Sequence, residues 1–195
     1  MGSVRELLDA DWARLASLLG RTSTRRNFGN NFSPRFAPVV VLRVAYWLAA
    51  NDWPRLANCF RFLNMVLFGL EAPSLVSIGP GLILPHTQGT VLGAAKIGRN
   101  VTIFHQVTLG ASVADYGYDV NLRPIVEDEV TIFVGAKVLG ALTLARGSTI
   151  GANAVVLENV PAGALAVGVP ARVVAPIDTT KSSSDPVDDV VRRPS

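Results

Sequence analysis

The sequence predicts a mainly β protein, a parallel β-helix preceded by an α-helical region. The first observation is a six-residue repeat, because an aliphatic side chain returns at every sixth position from Val126 to Val156. Helices repeat every 3.6 residues and strands every two, so neither period gives six. A parallel β-helix does give six, because each six-residue unit makes one short strand and one corner, and three units make one coil. The second observation is composition: 49% hydrophobic and only 17% charged residues suit a solenoid with a filled interior.

Bulk properties exclude several classes of protein. The 195 residues fit one core with an appendage, and the net charge is +3. The arginines are scattered rather than clustered, so we predict no nucleic-acid partner. The single cysteine, Cys59, excludes an intrachain disulfide framework, and we expect it to be a small buried residue on a helix in a reducing compartment. No signal peptide is recognisable and residues 37–50 are too short to span a bilayer, so we predict a cytoplasmic protein.

Residues 1–72 are predicted to form the helical region. Ser3 and Glu6 have the spacing of a capping box at the start of the first helix. Pro38 and Pro54 suit the first turns of a second and a third helix. Both of these helices are apolar almost all round and need cover, so we expect them to pack against each other, the β-helix and a neighbouring subunit. Contact with a membrane surface, aided by nearby arginines, is the alternative.

Residues 73–177 are predicted to form the β-helix. Its first part follows the series Ile78, Leu84, Val91, Ile97, Ile103 and Leu109. One extra residue interrupts the spacing near Gly89, and about eleven more are extruded as a loop over residues 111–123. A long loop on a rigid repeat is usually functional. Residues 178–195, dominated by Ser, Asp, Pro and Arg, are predicted to be a disordered tail.

The chain has two histidines, His86 and His105, and each lies two positions after an aliphatic residue of the repeat. They therefore occupy equivalent places in consecutive coils, where strand spacing would separate them by about 5 Å. Such a pair can share a proton, bind a metal or do neither. A zinc site needs three or four ligands and the sequence has no third histidine, so we expect no metal. General-base catalysis by His86 is the simplest remaining chemistry.

Five segments in order carry a resemblance to a known family. They are Leu84–Gly93, Asn100–Gly110, Val134–Gly140, Ile150–Val156 and Gly168–Val173. Over about half of its length the chain resembles the hexapeptide-repeat acyltransferases, specifically the serine acetyltransferase branch. The resemblance implies a left-handed parallel β-helix, against the usual right-handed crossover rule. It also implies acetyl-CoA as co-substrate and homotrimers with active sites between neighbouring subunits.

The resemblance assigns roles to individual residues. His86 matches the general base of the family. Residues expected to bind the coenzyme are Gly110, Ala111, Val134, Gly135, Ala152, Lys137 and Arg172. Most of them are small, which lets a pantetheine arm approach the backbone closely. Val134 replaces a usual alanine, while Lys137 and Arg172 are candidates for the coenzyme phosphates.

The chain also departs from serine acetyltransferases near the predicted site. Pro85 stands where the family has an acid directly before the catalytic histidine, and Glu71 is our candidate for the second acid, which orients that histidine. Arg123 replaces a loop histidine and is a candidate partner for an acceptor carboxylate. His105 is expected to orient His86 or to bind the acceptor. The two histidines together resemble the colanic-acid-type polysaccharide acetyltransferases. Further candidates for acceptor binding are Tyr116, Tyr118 and Asp119, of which the two tyrosines suit a sugar face.

We therefore predict an acetyl-CoA-dependent O-acetyltransferase that acts on a small-molecule acceptor, either L-serine or a sugar hydroxyl. The alternatives are a non-acylating β-helix scaffold and a metal-dependent, carbonic-anhydrase-like solenoid. We predict a homotrimer and leave open larger assemblies through the N-terminal helices. The irregular segment after His86 and the extruded loop should lie on the same side of the β-helix.

Overall fold

The computed structural model describes residues 3–74 and 76–176. Three α-helices come first: α1 (Val4–Leu18), α2 (Ala37–Ala50) and α3 (Pro54–Phe68). Short 3₁₀ helices lie at Phe28–Phe32 and Val120–Leu122. The strands are β1 (Leu70–Glu71), β2 (Ser77–Ile78), β3 (Thr90–Leu92), β4 (Lys96–Ile97), β5 (Thr102–Ile103), β6 (Thr108–Gly110), β7 (Ile125–Val126), β8 (Thr131–Ile132), β9 (Lys137–Leu139), β10 (Thr143–Leu144), β11 (Thr149–Ile150), β12 (Val155–Val156), β13 (Ala164–Gly168) and β14 (Ala171–Pro176).

The strands build a three-faced parallel β-helix, as predicted. The β1 face contains β1, β3, β6, β9 and β12; the β2 face contains β2, β4, β7 and β10; the β5 face contains β5, β8, β11, β13 and β14. Every neighbouring pair is parallel except β13 and β14, which form an antiparallel hairpin at the C-terminal end. Aliphatic side chains of the repeat point inward and are fully buried, among them Ile97, Val126 and Leu144 in one column. These columns are the core.

The predicted register needs one correction. Leu92, not Val91, pairs with Leu109 and is buried, while Val91 points outward. The chain thus has two extra residues between Leu84 and Leu92 and one fewer before Ile97, rather than a single insertion. The wider segment accommodates a left-handed residue, Gly89, at φ 70°.

The helices begin as the sequence predicts. The Ser3 backbone N–H donates to the Glu6 carboxylate at 2.7 Å, and the Glu6 N–H donates to the Ser3 hydroxyl at 3.3 Å, which completes the capping box. Prolines occupy the first turns of α2 and α3. α3 ends at Gly69, whose φ of 63° allows a left-handed cap.

A buried ion pair fixes the helices to the first coil, and no pattern in the sequence predicted it. Arg43 on α2 donates to the Asp11 carboxylate on α1 at 2.8 Å and to the carbonyls of Ile78 and Gly79 at 2.8 and 2.6 Å. Asp11 also accepts from the N–H groups of Gly81 and Leu82. Each charge is therefore paired and hydrogen-bonded, as burial requires. The helices cover the N-terminal end of the β-helix through this network.

The outward side of α3 stays uncovered within the described residues. Only Ala57 and Asn64 of this helix are buried, because the opposite side of α3 is the one that packs on α2 and on the segment around β1. Its exposed large apolar residues are Leu56, Phe62, Leu63, Met65, Val66 and Leu67. Cys59 lies on the same side and is exposed, so the prediction of a buried cysteine is wrong. No helix in the described part of the chain is both long and apolar enough to cross a membrane. The predicted tail, 178–195, lies outside the described residues.

Candidate active site

The two histidines meet at the corner between the β5 face and the β1 face. Their rings are 5.4 Å apart between centroids and nearly perpendicular, at 84°. The β-bridge between Ile83 and Thr102 puts both histidines three residues farther along their coils. The predicted stacking of equivalent positions is thus confirmed. His86 is exposed and His105 is partly buried. We call this the histidine corner; it comprises residues 84–89, 104–107, 133–136 and 151–154.

The end of α3 anchors the wider segment that carries His86. The Thr87 hydroxyl donates to the Phe68 carbonyl at 2.7 Å, and the Thr90 N–H donates to the Gly69 carbonyl at 3.2 Å. From the next coil, the Gln106 N–H donates to the Gln88 carbonyl at 3.0 Å. These bonds fix the backbone on both sides of His86 while its ring stays open to solvent.

The two ring nitrogens of His105 differ in their surroundings. Nδ1 is buried and has no hydrogen-bond partner among the described residues. A proton there would leave a buried donor unpaired, which costs free energy. The tautomer with its proton on Nε2 leaves Nδ1 as an unpaired acceptor instead, and in that tautomer His105 can donate a hydrogen bond from Nε2. His86 and His105 can therefore play different roles although they occupy equivalent positions.

Below the histidines the same corner carries part of the predicted coenzyme set. By strand register, Val134 follows His105 in the next coil and Ala152 follows Val134. Gly135 lies beside them with φ 76°, and a Cβ there would come within 2.0 Å of the Asn153 side-chain oxygen. This wall of small residues is open to a narrow ligand that approaches the backbone.

The other predicted coenzyme residues lie elsewhere. Gly110 and Ala111 are at the opposite edge of the β1 face, where β6 ends. Lys137 is on the β1 face and donates to the Gln106 carbonyl of the histidine corner. Arg172 is exposed on β14, on the β5 face. Within one chain, therefore, Val134, Gly135 and Ala152 lie in the histidine corner, and Lys137 adjoins it.

The extruded loop is held by Arg123, the residue predicted to meet an acceptor carboxylate. The guanidinium donates to the Asp115 carboxylate at 2.6 Å and to the Gly93 carbonyl at 3.2 Å, and it lies 3.7 Å from the centroid of the Tyr118 ring. The Arg123 and Asp115 side chains are only 10% and 8% exposed. Burial raises the pKa of Asp115, but the hydrogen bonds from Arg123 and from loop N–H groups outweigh it and hold that pKa below its ordinary value.

The other residues predicted to bind the acceptor also lie in this loop. The Tyr118 hydroxyl donates to the Ala94 carbonyl at 2.8 Å, and burial raises the pKa of Tyr118 to about 12 although Arg123 opposes the shift. The Asp119 carboxylate accepts from the Asn121 N–H and so caps the second 3₁₀ helix. Tyr116 is fully exposed. Sequence reasoning missed Asp115; an acid eight positions before Arg123 in an extruded loop was the available signal.

The two interruptions of the repeat lie at different corners. The loop, residues 111–123, connects the β1 face to the β2 face, whereas the histidines lie where the β5 face meets the β1 face. The prediction that both lie on one side of the β-helix is therefore wrong for a single chain, although both border the β1 face. One chain does not bring Arg123 to the histidines.

Glu71 points outward from β1, paired with Val91, and makes no hydrogen bond to either histidine within the described chain. Its role in orienting His86 stays a prediction.

The residues that the structure describes include no group of three or more His, Cys, Asp or Glu side chains placed to hold a metal ion.

In sequence, the chain is similar to known serine acetyltransferases. No family model matches the chain. It is 40% identical over 133 residues to the serine acetyltransferase of Mycobacterium tuberculosis, which covers 68% of this chain and 57% of the relative. The chain thus spans little more than half of that relative's length.

In structure, too, the chain is similar to serine acetyltransferases. A serine acetyltransferase in complex with CoA overlaps with a TM-score of 0.73 at 28% identity, covering 88% of this chain and 70% of the other. The serine acetyltransferase of Neisseria gonorrhoeae in complex with serine overlaps with a TM-score of 0.74 at 27% identity, covering 88% and 69%. These neighbours have the left-handed β-helix fold, which confirms the predicted fold class.

Proposed function

Because the chain belongs to the hexapeptide-repeat acyltransferases, in the branch of the serine acetyltransferases, we propose that it is an acetyl-CoA-dependent O-acetyltransferase. The observation that carries this proposal is the pair of histidines in edge-to-face contact, directly above a wall of small residues at one corner of a rigid β-helix. A base and a narrow coenzyme groove are the two parts that such a transfer needs.

His86 is the general base. Its exposed ring accepts the proton of the acceptor hydroxyl as that oxygen attacks the carbonyl carbon of the acetyl thioester. The C–S bond then breaks, the sulfur leaves and takes the proton from His86, and the products are an O-acetyl ester and free CoA. His105 donates from Nε2 to an oxygen of the bound acceptor and so positions its hydroxyl against His86.

The coenzyme lies along the histidine corner toward the C-terminal end. Val134, Gly135 and Ala152 offer backbone groups with little side-chain bulk, and the relative solved with CoA shares the fold that builds this wall. Lys137 already donates to the Gln106 carbonyl beside this wall, so a coenzyme phosphate would have to compete for its ammonium group.

L-Serine is the first acceptor to consider, since a neighbour of the same fold is solved with serine. A sugar hydroxyl is the second, and two observations favour it. The charge of Arg123 is already paired with the Asp115 carboxylate, so an acceptor carboxylate would have to compete with that pair, although the Arg123 Nε has no partner among the described residues. Pro85, not an acid, precedes His86 and leaves no partner there for an ammonium group.

We also propose a homotrimer that acts in the cytoplasm. The extruded loop and the histidine corner border one face from opposite edges, so a neighbouring subunit that packs on that face would bring its own loop beside these histidines. The exposed thiol of Cys59 suits a reducing compartment.

A thiol-release assay with acetyl-CoA tests the activity, with L-serine and a panel of sugars as acceptors. We expect His86→Ala to abolish transfer while circular dichroism and the oligomeric state stay unchanged. Arg25→Ala, at an exposed position remote from the corner, serves as the matched control and should retain full activity. Turnover of the His86→Ala protein close to that of wild type would refute the proposal.

A further inference from the structure

The residues directly before the histidine column form a second column. By register, Pro85, Phe104 and Phe133 occupy equivalent places in three consecutive coils. The Phe104 and Phe133 rings stack with 5.1 Å between centroids and only 13° between planes. The parallel rings present a continuous aromatic strip, next to His105 and to Val134.

This strip is unusual for the described β-helix. Residues 76–176 contain four aromatic side chains, and the other two, Tyr116 and Tyr118, lie in the extruded loop. Phe133 is 39% exposed and Phe104 is partly buried, so the strip reaches the surface in the two coils that follow the coil of the proposed base. An exposed aromatic pair of this kind buries apolar area when a ligand covers it.

The charge pattern of the corner narrows the ligand further. Residues 84–90, 103–107 and 132–136 contain no Asp, Glu, Lys or Arg, and the adjoining Lys137 already donates to the Gln106 carbonyl. A zwitterionic amino acid needs partners for both of its charges, because an unpaired charge loses hydration without compensation. A neutral ring that carries hydroxyl groups needs only hydrogen bonds and an apolar face. Pyranose rings have such a face, formed by their axial C–H groups.

We propose that Phe104 and Phe133 form the acceptor platform and that the acceptor is a neutral, ring-shaped polyol of the sugar class. Its C–H face packs on the aromatic strip, which turns one ring hydroxyl toward His86 and a neighbouring oxygen toward Nε2 of His105. This inference rests on the proposed acetyl transfer and adds the acceptor class and the residues that select it.

The test compares acceptor kinetics of the full chain. The acceptors are methyl α-D-glucopyranoside, methyl α-D-galactopyranoside and L-serine, each with acetyl-CoA at saturation. Phe133→Ala should raise the KM for the preferred glycoside by about tenfold and change kcat much less, because stacking contributes to acceptor binding. The KM for acetyl-CoA should not change. Phe133→Tyr keeps the ring and should restore the low KM for the glycoside.

A matched control is available in the helical region. Phe28 is 79% exposed and contacts Phe32 edge-on at 5.4 Å, so Phe28→Ala removes an equally exposed ring from a similar pair. It should leave the kinetics with every acceptor unchanged. A larger loss for Phe28→Ala than for Phe133→Ala would mean that the effect reflects folding.

Three results would overturn the inference. They are a wild-type protein that acetylates serine but neither glycoside, a Phe133→Ala variant whose defect is in the KM for acetyl-CoA, and one whose defect is loss of oligomeric assembly. His86→Ala separates this inference from the broader proposal. If that variant is inactive while Phe133→Ala behaves as wild type toward the glycosides, the transferase assignment stands and the platform does not.

Discussion

The two interruptions of the hexad repeat differ in whether their polar side chains are open to solvent or bonded within the chain. At the histidine corner, the His86 ring is exposed and hydrogen bonds fix only the backbone around it, through Thr87, Gln88 and Thr90. In the extruded loop, Arg123, Asp115 and Tyr118 bind one another and the backbone of the coil beneath them.

The difference separates chemistry from support. A side chain that has its charge and hydrogen bonds satisfied within the chain must break them before it binds a ligand, whereas an open ring on a fixed backbone needs no rearrangement. We therefore assign proton transfer to the histidine corner and a structural role to the polar side chains of the loop.

The largest effect is expected at the open corner. His86→Asn removes the base and should lower kcat by about a hundredfold or more, since general-base catalysis typically contributes that much. Thermal unfolding should stay within about a degree of wild type, because the exposed ring supports no buried contact. Steady-state kinetics and calorimetry on the same preparation measure both. A large fall in the unfolding temperature would mean that this corner, too, is structural.

The loop should respond in the opposite way. Arg123→Met leaves the buried Asp115 carboxylate without its partner, so we expect the loop to open and to be cleaved about tenfold faster in limited proteolysis. Arg146→Met is the matched control, because the Arg146–Glu129 pair is 66% and 48% exposed and exposed pairs contribute little. Equal cleavage of the two variants would contradict the role given to Arg123.

The same ion pair predicts a pH dependence. The pKa of Asp115 is lowered in the folded chain, so its contribution to stability is complete above the ordinary aspartate pKa of about 4 and is lost as pH falls through the lower folded value. Wild type should thus exceed Asp115→Asn in unfolding temperature by a constant margin at neutral pH. That margin should shrink below about pH 4. A margin independent of pH down to pH 2 would rule out this linkage.

A smaller effect is expected at the proposed coenzyme wall. Gly135 and Gly147 both have positive φ, 76° and 68°, so alanine strains the backbone by about 1 kcal/mol at either position. Only at Gly135 would the new Cβ also meet a neighbour, Asn153. Gly135→Ala should therefore raise the KM for acetyl-CoA severalfold and Gly147→Ala should not. An equal KM for the two variants would place the coenzyme elsewhere.

The repeat made much of the fold predictable. Spacing located the inward columns, because a strict period fixes the register between coils. It also placed His86 against His105, because the irregular segment between them changes the count by a net single residue. Where the period failed, the register could not be counted, and Val91 was placed inward in error. The buried pair of Asp11 and Arg43 was not predictable, since nothing along the chain marks two charges 32 positions apart as partners.

The predicted site was only partly accessible from the sequence. Equivalent positions in the coils identified the histidine corner and its small-residue wall. Arg123 could not be recognised as a structural residue from the sequence, because its partners are Asp115 and Tyr118 of the same loop. Pairing within a loop follows from the conformation of that loop, which no repeat specifies. The aromatic strip of Phe104 and Phe133 follows from register, but its significance became visible only beside the histidines.

Product analysis after incubation of the wild-type chain with acetyl-CoA and an acceptor tests the central claim most directly. We predict an acceptor that gains one acetyl group, as a hydroxylamine-sensitive ester detected by mass spectrometry, with one equivalent of free CoA thiol, and neither product with His86→Asn. Ester formation that persists undiminished in His86→Asn, or no ester from the wild-type chain with any hydroxyl acceptor, would contradict the account.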